Sequence, residues 1–231
     1  AFGRDHRRGA ISQSQPLRSI HARTLQLRAY YRRGAGVLSA LSAIEALVAE
    51  IRSCRACPLP HEPRPVIWVH PDARILIAGQ APGRRVHESG VPWDDPSGDR
   101  LREWLGMDRE AFYTREHVAV AAMGFCYPGT VKGADLPPRP ECAPLWRARL
   151  LHLLKNVRLT LLVGAHAQRY HLGKTARGSL GETVRAWRAY PENVIPLPHP
   201  SWRNSAWLKR NPWFDAELVP ELRERVRAAL K

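Results

Sequence analysis

Acidic residues, cysteines and long apolar segments are all scarce in this sequence of 231 residues. No apolar stretch approaches the ~18 residues needed to cross a bilayer, so we expect no membrane partner. The first residues lack the apolar centre of a secretory signal, and without secretion disulfides are not expected. We therefore expect a monomeric cytoplasmic protein of a bacterium. The Arg-rich, acid-poor N-terminus leaves organellar import as the alternative.

The shortage of acid gives the chain a strong positive charge. It has 36 Lys and Arg against 21 Asp and Glu, a formal net charge of +15. Residues 1–35 carry eight Arg and one Asp and contribute +7, which leaves +8 for the rest. A balance of this kind indicates a polyanionic partner, and nucleic acid is the first candidate.

Composition divides the chain into two parts. Residues 1–37 are rich in Arg, Ser, Gln and Gly and predict a disordered basic arm, whereas residues 38–231 predict one folded domain. Near-continuous apolar runs there are typical of parallel strands covered on both faces. They lie at 75–78, 118–122, 159–163 and 194–197, and helical patterns lie at 38–53, 98–105, 141–155, 166–171, 179–188 and 215–229. Alternating strands and helices predict an α/β fold, a three-layer α/β/α sandwich around a four-stranded, mostly parallel sheet.

Unusual segments follow three of these runs. The glycine-containing turn 79–83 follows the first, Cys126 follows the second, and the segment 199–204 follows the last. Ligands of parallel sheets bind at the carboxyl ends of the strands. We therefore expect the chemistry of this protein along one edge of the sheet.

The four cysteines form the clearest constellation: Cys54, Cys57, Cys126 and Cys142. Four thiolates can close a site for zinc or for an iron–sulfur cluster, and the spacing alone does not choose between them. A zinc ribbon usually has two short CxxC knuckles, and this chain has one. Four unrelated buried thiols are the structural alternative.

Together these motifs resemble the family 4 (thermophile-type) uracil-DNA glycosylases. That family has a CxxC, a third cysteine after the second strand and a fourth about fifteen residues later, which bind a [4Fe–4S] cluster. Its GEAPG turn resembles residues 79–83, its K-C-R-P-P-G stretch resembles 125–129, and its H-P-S motif resembles 199–201. The resemblance covers about residues 40–230 and implies a [4Fe–4S] cluster on the four cysteines, with zinc as the less favoured occupant.

The resemblance also assigns roles to site residues. His199 would donate a hydrogen bond to the base carbonyl and stabilise the oxyanion that grows there. The backbone amides of Gln80 and Ala81 would face the base, and Gly79 and Gly83 would allow its close approach. Trp93 would stack on the flipped base, unless it is a core or lid aromatic. A loop-capping role is the structural alternative for His199.

Several pocket positions depart from the family. The Glu of the first motif is Gln80 here, the following Glu-Asp pair is Val86-His87, and the stacking Phe is Trp93. The uracil-reading Asn of the family corresponds to Ala122. The sequence therefore predicts a divergent branch, with the base it prefers left open.

Water activation has no obvious residue, because Gln80 cannot act as a base. The candidates are His87, Glu88, Asp94 and Asp95. A turn and a helix N-cap is the simpler interpretation of residues 94–98.

Residues that grip DNA are expected after the last strand. Trp202 and Arg203 would enter the helix where the base has left, with Ser201 and Asn204 bracing their loop. Further cations and aromatics are candidates for DNA contact, although any single Arg is as easily a solvated charge: Arg84, Arg85, Lys132, Trp207, Lys209, Arg210 and Trp213.

We expect a DNA base-excision glycosylase that removes uracil or another deaminated base. A non-catalytic Fe–S protein that binds DNA or serves as an adaptor is the alternative, favoured by Gln80 and Ala122. A structural zinc protein is the third.

Overall fold

A parallel sheet lies at the centre of this computed structural model, which describes residues 39–231. The predicted arm, residues 1–37, lies outside the described residues. Strands pair in the order β2-β1-β5-β6, and β3 and β4 form a separate antiparallel hairpin. The strands are β1 (Ile75–Ala78), β2 (Val118–Val120), β3 (Thr130–Val131), β4 (Ala134–Asp135), β5 (Leu159–Val163) and β6 (Val194–Leu197). The predicted four-stranded α/β fold is confirmed, and all pairs of the central sheet are parallel.

Helices connect the strands and cover both faces of the sheet. The α-helices are α1 (residues 39–52), α2 (Arg84–Ser89), α3 (Pro96–Leu105), α4 (Arg109–Tyr113), α5 (Cys142–Leu153), α6 (Ala165–Leu172), α7 (Leu180–Arg185), α8 (Ser205–Arg210) and α9 (Val219–Leu230). Short 3₁₀ turns lie at Gly173–Thr175, Trp187–Ala189 and Trp202–Asn204, and a π-helical turn at Phe214–Leu218 leads into α9. No helix of residues 39–231 is long and apolar enough to span a membrane.

Successive side chains of β1 point to opposite faces of the sheet, and each face is covered by its own layer of helices. Ile75 and Ile77 belong to the hydrophobic cluster that includes residues of α3 and α9, whereas Leu76 belongs to the cluster formed with α1 and α5. Every residue of β1 is buried, since helices cover both faces. Burial of each such side chain contributes about 1.5–3 kcal/mol. The near-continuous apolar pattern of the strands follows from this two-sided burial.

The carboxyl ends of β1, β2 and β6 bring three loops to one edge of the sheet. The loop after β2 continues to pair with the turn after β1, because Met123 N–H donates to Gly79 O over 3.0 Å and Gly124 N–H donates to Gln80 O over 2.9 Å. These bonds fix the glycine-containing turn 79–83 against the chain that leads to Cys126.

Candidate functional site

A cleft of about 1920 Å³, its open mouth included, lies at this edge of the sheet. The structure brings together in it eleven of the predicted site residues, which were expected in catalysis, in base binding and in the loop that grips DNA. They are Gly79, Gln80, Ala81, Gly83, Trp93, Ala122, His199, Ser201, Trp202, Arg203 and Asn204. Loops after three separate strands contribute them, which is why the cleft exists only in the folded chain.

His199 is held in one orientation at the floor of this cleft. The Ser201 N–H donates to His199 Nδ1 over 3.2 Å, and the Asn204 side chain donates to His199 O over 2.7 Å. Burial lowers the pKa of His199, while the charges of Asp95 and Asp135 oppose that shift. A neutral imidazole that accepts at Nδ1 carries its proton on Nε2. We infer from this network that His199 offers an Nε2–H donor to a ligand in the cleft.

Trp93 forms a wall of the cleft next to His199. The two ring centroids are 5.5 Å apart with a tilt of 34°. The backbone of Trp93 is left-handed, with φ +59°, a conformation that is costly for a bulky side chain and persists where the surroundings hold it. The buried Arg102 side chain donates to Trp93 O over 3.2 Å. The indole, which also packs against the hydrophobic core, is therefore a fixed wall of the slot.

Two glycines make room for this arrangement. A Cβ on Gly98 would lie 1.7 Å from Trp93 O, so only glycine fits under the turn. A Cβ on Gly79 would lie 3.3 Å from Trp93 Cζ2, which would narrow the slot between the indole and the strand end. The position of Trp93 and the width of the slot beside it thus depend on the absence of a side chain at Gly98 and Gly79.

The four predicted candidates for water activation separate in the structure. Asp95 lines the cleft, but its Oδ1 accepts from Gly98 N–H over 2.8 Å as the N-cap of α3. The cap interpretation of this turn is therefore confirmed. Asp94 pairs with Arg109 over 2.8 Å. Neither of these carboxylates is free of a structural partner.

His87 and Glu88 lie elsewhere on α2, and neither is among the described residues that line the cleft. The His87 ring lies 4.6 Å from the His61 ring and 5.8 Å from the Tyr127 ring, centroid to centroid. Burial lowers the pKa of His87, and the neighbouring His61 and Arg64 lower it further. The structure gives no support to these two residues as bases in the cleft.

Sequence reasoning missed Asp135, which lies on β4 and lines the cleft. The Thr130 hydroxyl donates to Asp135 Oδ1 over 3.1 Å, and Tyr127 OH is hydrogen-bonded to the same Thr130 hydroxyl. The signal in the sequence is weak. Lys132-Gly133 has the two-residue form of a hairpin turn, but the flanking strands are only two residues long.

The mouth of the cleft presents an exposed aromatic side chain and several cations. Trp202 is 76% exposed, with the Arg203 guanidinium 5.6 Å from the centre of its ring. Arg203 also donates to Gly133 O, and Arg100 donates to Ser201 O over 3.3 Å. The exposed residues Arg84, Arg85 and Lys132 lie on segments that border the cleft. This surface can contact a polyanion around a bulky apolar side chain.

The aromatics predicted to interleave with Lys209 and Arg210 also have a structural role. Trp207 and Trp213 pack against the core, with their ring centroids 5.9 Å apart and edge-on. Phe214 lies about as close to each of them. The two indoles stabilise the end of the domain and are only partly buried, and their contact with DNA stays a prediction.

A second, smaller cavity, of about 420 Å³, faces all four cysteines: Cys54, Cys57, Cys126 and Cys142. Burial raises the pKa of Cys126 to about 12 and that of Cys142 to about 11. Apolar side chains such as Ile51 and Phe125 form much of the remaining wall. All four cysteines thus line one cavity.

Hydrogen-bond donors surround these sulfurs. Phe125 N–H donates to Cys142 Sγ over 3.4 Å. Burial raises the pKa of Cys57, and the Arg139 guanidinium beside it opposes that rise. Arg139 lines the cavity, and its Nε is buried without a hydrogen-bond partner. The cavity wall thus offers donors suited to an anionic group that contains sulfur.

Arg147 lies between the two cavities and is 1% exposed. It donates to Ala121 O over 2.7 Å, to Ala122 O over 3.2 Å and to His171 Nε2 over 2.7 Å. Burial lowers the pKa of Arg147 to about 10 and that of His171 to about 4. Arg147 is therefore a buried cation that donates to two carbonyl oxygens and a neutral imidazole, and its charge interacts with Cys142.

The sequence matches the family model of the uracil DNA glycosylase superfamily over residues 67–223, more than half of the chain. The matched segment contains the sheet, the cleft and two of the four cysteines. This protein therefore belongs to the uracil DNA glycosylase superfamily, whose members are generally hydrolases of N-glycosyl bonds in DNA.

Proposed function

We propose that this protein is a DNA base-excision glycosylase for uracil or another deaminated base. The observation that carries the proposal is the slot formed by Trp93, Gly79 and His199, with an Nε2–H donor at its floor. A flat wall beside a hydrogen-bond donor suits a base that has been turned out of the DNA stack. A protein that only binds DNA has no need of such a slot.

The geometry supports a simple division of labour. Trp93 stacks on the flipped base, an interaction worth about 1–3 kcal/mol. As the N-glycosidic bond breaks, its electron pair leaves with the base, and negative charge grows on the base carbonyl. His199, held neutral by its burial and by the Ser201 N–H, stabilises this charge through Nε2–H without giving up its proton. A donor of this type contributes about 100- to 1000-fold in rate.

We further propose a [4Fe–4S] cluster on Cys54, Cys57, Cys126 and Cys142. A zinc ion would bring four sulfurs to about 3.8 Å from one another at Zn–S bonds of about 2.3 Å. Among residues 39–231 no three His, Cys, Asp or Glu side chains are grouped to hold one metal ion, although all four thiols face one cavity. The donors of the cavity wall suit the negative charge of an iron–sulfur cluster.

The cluster would serve as a cross-link. Its ligands come from the segment after α1, the loop after β2 and the first turn of α5, which are far apart in sequence. Metal–ligand bonds between such segments contribute directly to folding. This ligand set also supports placing the chain near the family 4 glycosylases, as a divergent branch with an altered base pocket.

The test is release of base from single-stranded and duplex DNA that carries uracil, hypoxanthine or xanthine, with alkali cleavage at the abasic sites. We expect His199→Ala to slow single-turnover release about 100- to 1000-fold. His152→Ala is the matched control, since His152 is exposed on α5 and outside the cleft. An unchanged rate in His199→Ala would contradict the role of this residue.

A second function is favoured by two positions in the cleft. Gln80 has no carboxylate, and Ala122 has no polar group to read a base. A non-catalytic Fe–S protein that binds DNA would tolerate both. Absence of release from every substrate, with DNA binding intact, would favour this function over the glycosylase.

The cluster has its own test. Purified protein should absorb in the near-visible range and contain iron and sulfide, and Cys54→Ala should lose them together with stability. Retention of the full metal content by Cys54→Ala would show that the ligand set is wrong.

A further inference from the structure

Carboxylates are rare in the cleft, although hydrolysis of a glycosidic bond uses a water molecule that must lose a proton. Of the described residues that line the cleft, two are acidic, Asp95 and Asp135. Position 80, at the centre of the glycine-containing turn, is an amide. A base for the water must therefore be one of these two carboxylates, or the reaction must do without one.

The Asp95 carboxylate is hydrogen-bonded to the backbone as the N-cap of α3. Its Oδ1 accepts from Gly98 N–H over 2.8 Å and begins α3 directly after the strained residue Trp93. An N-cap of this kind stabilises a helix by about 1 kcal/mol. The main role of Asp95 is therefore to fix the segment that carries the indole.

Asp135 is oriented toward the cleft. Its Oδ1 accepts from the Thr130 hydroxyl over 3.1 Å, which leaves Oδ2 available. A Cβ built on Gly83 would lie 3.6 Å from Oδ2, so this oxygen lies over the glycine-containing turn. The charge of Asp135 is felt by His199. The carboxylate and the imidazole thus face the same space from opposite elements.

The hairpin that carries Asp135 is fixed in place. Lys132 and Gly133 form its two-residue turn with φ +50° and +75°, a geometry that matches the twist of a hairpin. Arg203 donates to Gly133 O and fastens the tip to the loop that carries Trp202. Asp135 is exposed in the free protein, and DNA bound along this loop would cover it.

We propose that Asp135 is the catalytic carboxylate that accepts the proton of the attacking water, a proposal that rests on the proposed glycosylase function. The water oxygen bonds to C1′ of the sugar as the C1′–N bond breaks. The electron pair of that bond leaves with the base, whose charge is held by His199 Nε2–H. The water proton moves to Asp135 Oδ2, and the base anion later takes a proton from solvent.

The test compares Asp135→Asn with Asp108→Asn in single-turnover release, since Asp108 is the N-cap of α4 outside the cleft and its Oδ1 accepts from Ala111 N–H over 2.7 Å. Each Asn keeps the size of the side chain and an oxygen that accepts the existing hydrogen bond, so both variants should fold. We expect Asp135→Asn to be slower by about 100-fold or more, the usual contribution of a general base. We expect Asp108→Asn to stay within about fivefold of the wild type, because its cap is preserved and it does not line the cleft.

Two further readouts separate a base from a structural group. Asp135→Asn should bind DNA at least as tightly as the wild type, since a negative charge near phosphates has been removed. Azide is a nucleophile that needs no base, and it should raise the rate of Asp135→Asn much more than that of the wild type.

The outcomes distinguish this proposal from the function on which it rests. Release by the wild type together with a rate for Asp135→Asn within fivefold of it would overturn the role of Asp135 alone. A weakened affinity for DNA with no azide effect would also overturn it. Absence of release by the wild type would overturn the proposed function, and this role with it.

Discussion

The cysteine cavity and the cleft lie on either side of the chain that leaves β2, and they differ in almost every property. The cavity has about 420 Å³ and mostly apolar walls, whereas the cleft has about 1920 Å³ and many polar residues. Cysteines far apart in sequence meet in the first, and loops from one edge of the sheet meet in the second. The contrast teaches that the fold keeps an apolar site built from distant segments separate from a polar site built from loops at one edge of the sheet.

A substitution of Arg147 tests whether the cavity and the cleft are independent, because its side chain contacts the chain segment between the two sites. Arg147→Met would remove the donors to Ala121 O, Ala122 O and His171. Each buried acceptor left without a partner costs about 1–3 kcal/mol, so we expect a loss of about 3 kcal/mol or more in the free energy of unfolding. Iron content and base release should both decrease, as measured on the same preparation.

The matched control for this variant is Arg149→Met, on the same helix. Arg149 is about half exposed and pairs with Glu50 over 2.8 Å. An exposed pair contributes about 0–1 kcal/mol. Equal losses in the two variants, or a loss of base release in Arg147→Met with full iron content and stability, would show that the cavity and the cleft are not linked through Arg147.

A substitution of Gly98 should change the cleft and leave the cysteine cavity unchanged. A Cβ at this position would lie 1.7 Å from Trp93 O, so Gly98→Ala must displace the turn that carries the indole. We expect a loss of about 1–3 kcal/mol in stability and slower base release, with iron content unchanged. Gly83→Ala is the steric control for stability, since its Cβ would have an ordinary contact of 3.6 Å with Asp135 Oδ2. Normal base release by Gly98→Ala would remove Trp93 from the site.

Protonation of His171, next to Arg147, should make the free energy of unfolding depend on pH. The pKa of His171 is lowered to about 4 by burial and by Arg147, so the unfolded chain binds more protons as the pH falls below about 6.5. Its contribution to stability is complete above that pH and decreases toward pH 4. Between pH 7.5 and pH 5 we expect a loss of about 2 kcal/mol from this residue.

The measurement is the free energy of unfolding at the two pH values for wild type and His171→Gln. The amide oxygen of Gln can accept from Arg147 and does not titrate, so the variant should lose less stability than the wild type on acidification. The same slope in both proteins would exclude His171 as the source.

The sheet and most of the cleft could be predicted from the sequence because their signals are local. The runs at Ile75–Ala78, Leu159–Val163 and Val194–Leu197 have the bounds of the observed strands, since burial on both faces leaves a single polar residue, Thr160, inside them. Gly79 and His199 follow strand ends directly, and parallel strands bring their carboxyl ends to one edge. The parallel arrangement of the strands was therefore enough to predict that Gly79 and His199 lie at the same edge of the sheet.

The remaining residues were not predictable because their roles depend on tertiary contacts. Strands β3 and β4 have two residues each, too few to show the alternating pattern of a strand. The sequence therefore contained no indication that Asp135 lies at the cleft. Arg147 looked like any other Arg on a helix, and only the packing of α5 against the end of β2 makes it a buried donor. The edge-on contacts of Trp207 and Trp213 with Phe214 likewise depend on the packing of the C-terminal helices.

Trp202 tests the mouth of the cleft, with the smallest expected effect. Its side chain is 76% exposed and contacts the Arg203 guanidinium, so Trp202→Ala should leave stability and iron content unchanged. We expect a loss of about 1 kcal/mol in affinity for duplex DNA, the lower end of the usual contribution of an aromatic contact to a base. Titration of duplex and single-stranded DNA with the same lesion would measure it.

The comparison of the two substrates decides what Trp202 does. A side chain that fills the space left by the flipped base matters only where a stack has been opened, so the affinity for single-stranded DNA should change less than twofold. Trp202→Phe should recover most of the affinity for the duplex, because a smaller aromatic ring can still enter the stack. Equal losses on both substrates would make Trp202 a stacking surface at the mouth of the cleft, and insertion into the duplex would then fall to another residue of the loop or of the β3–β4 hairpin.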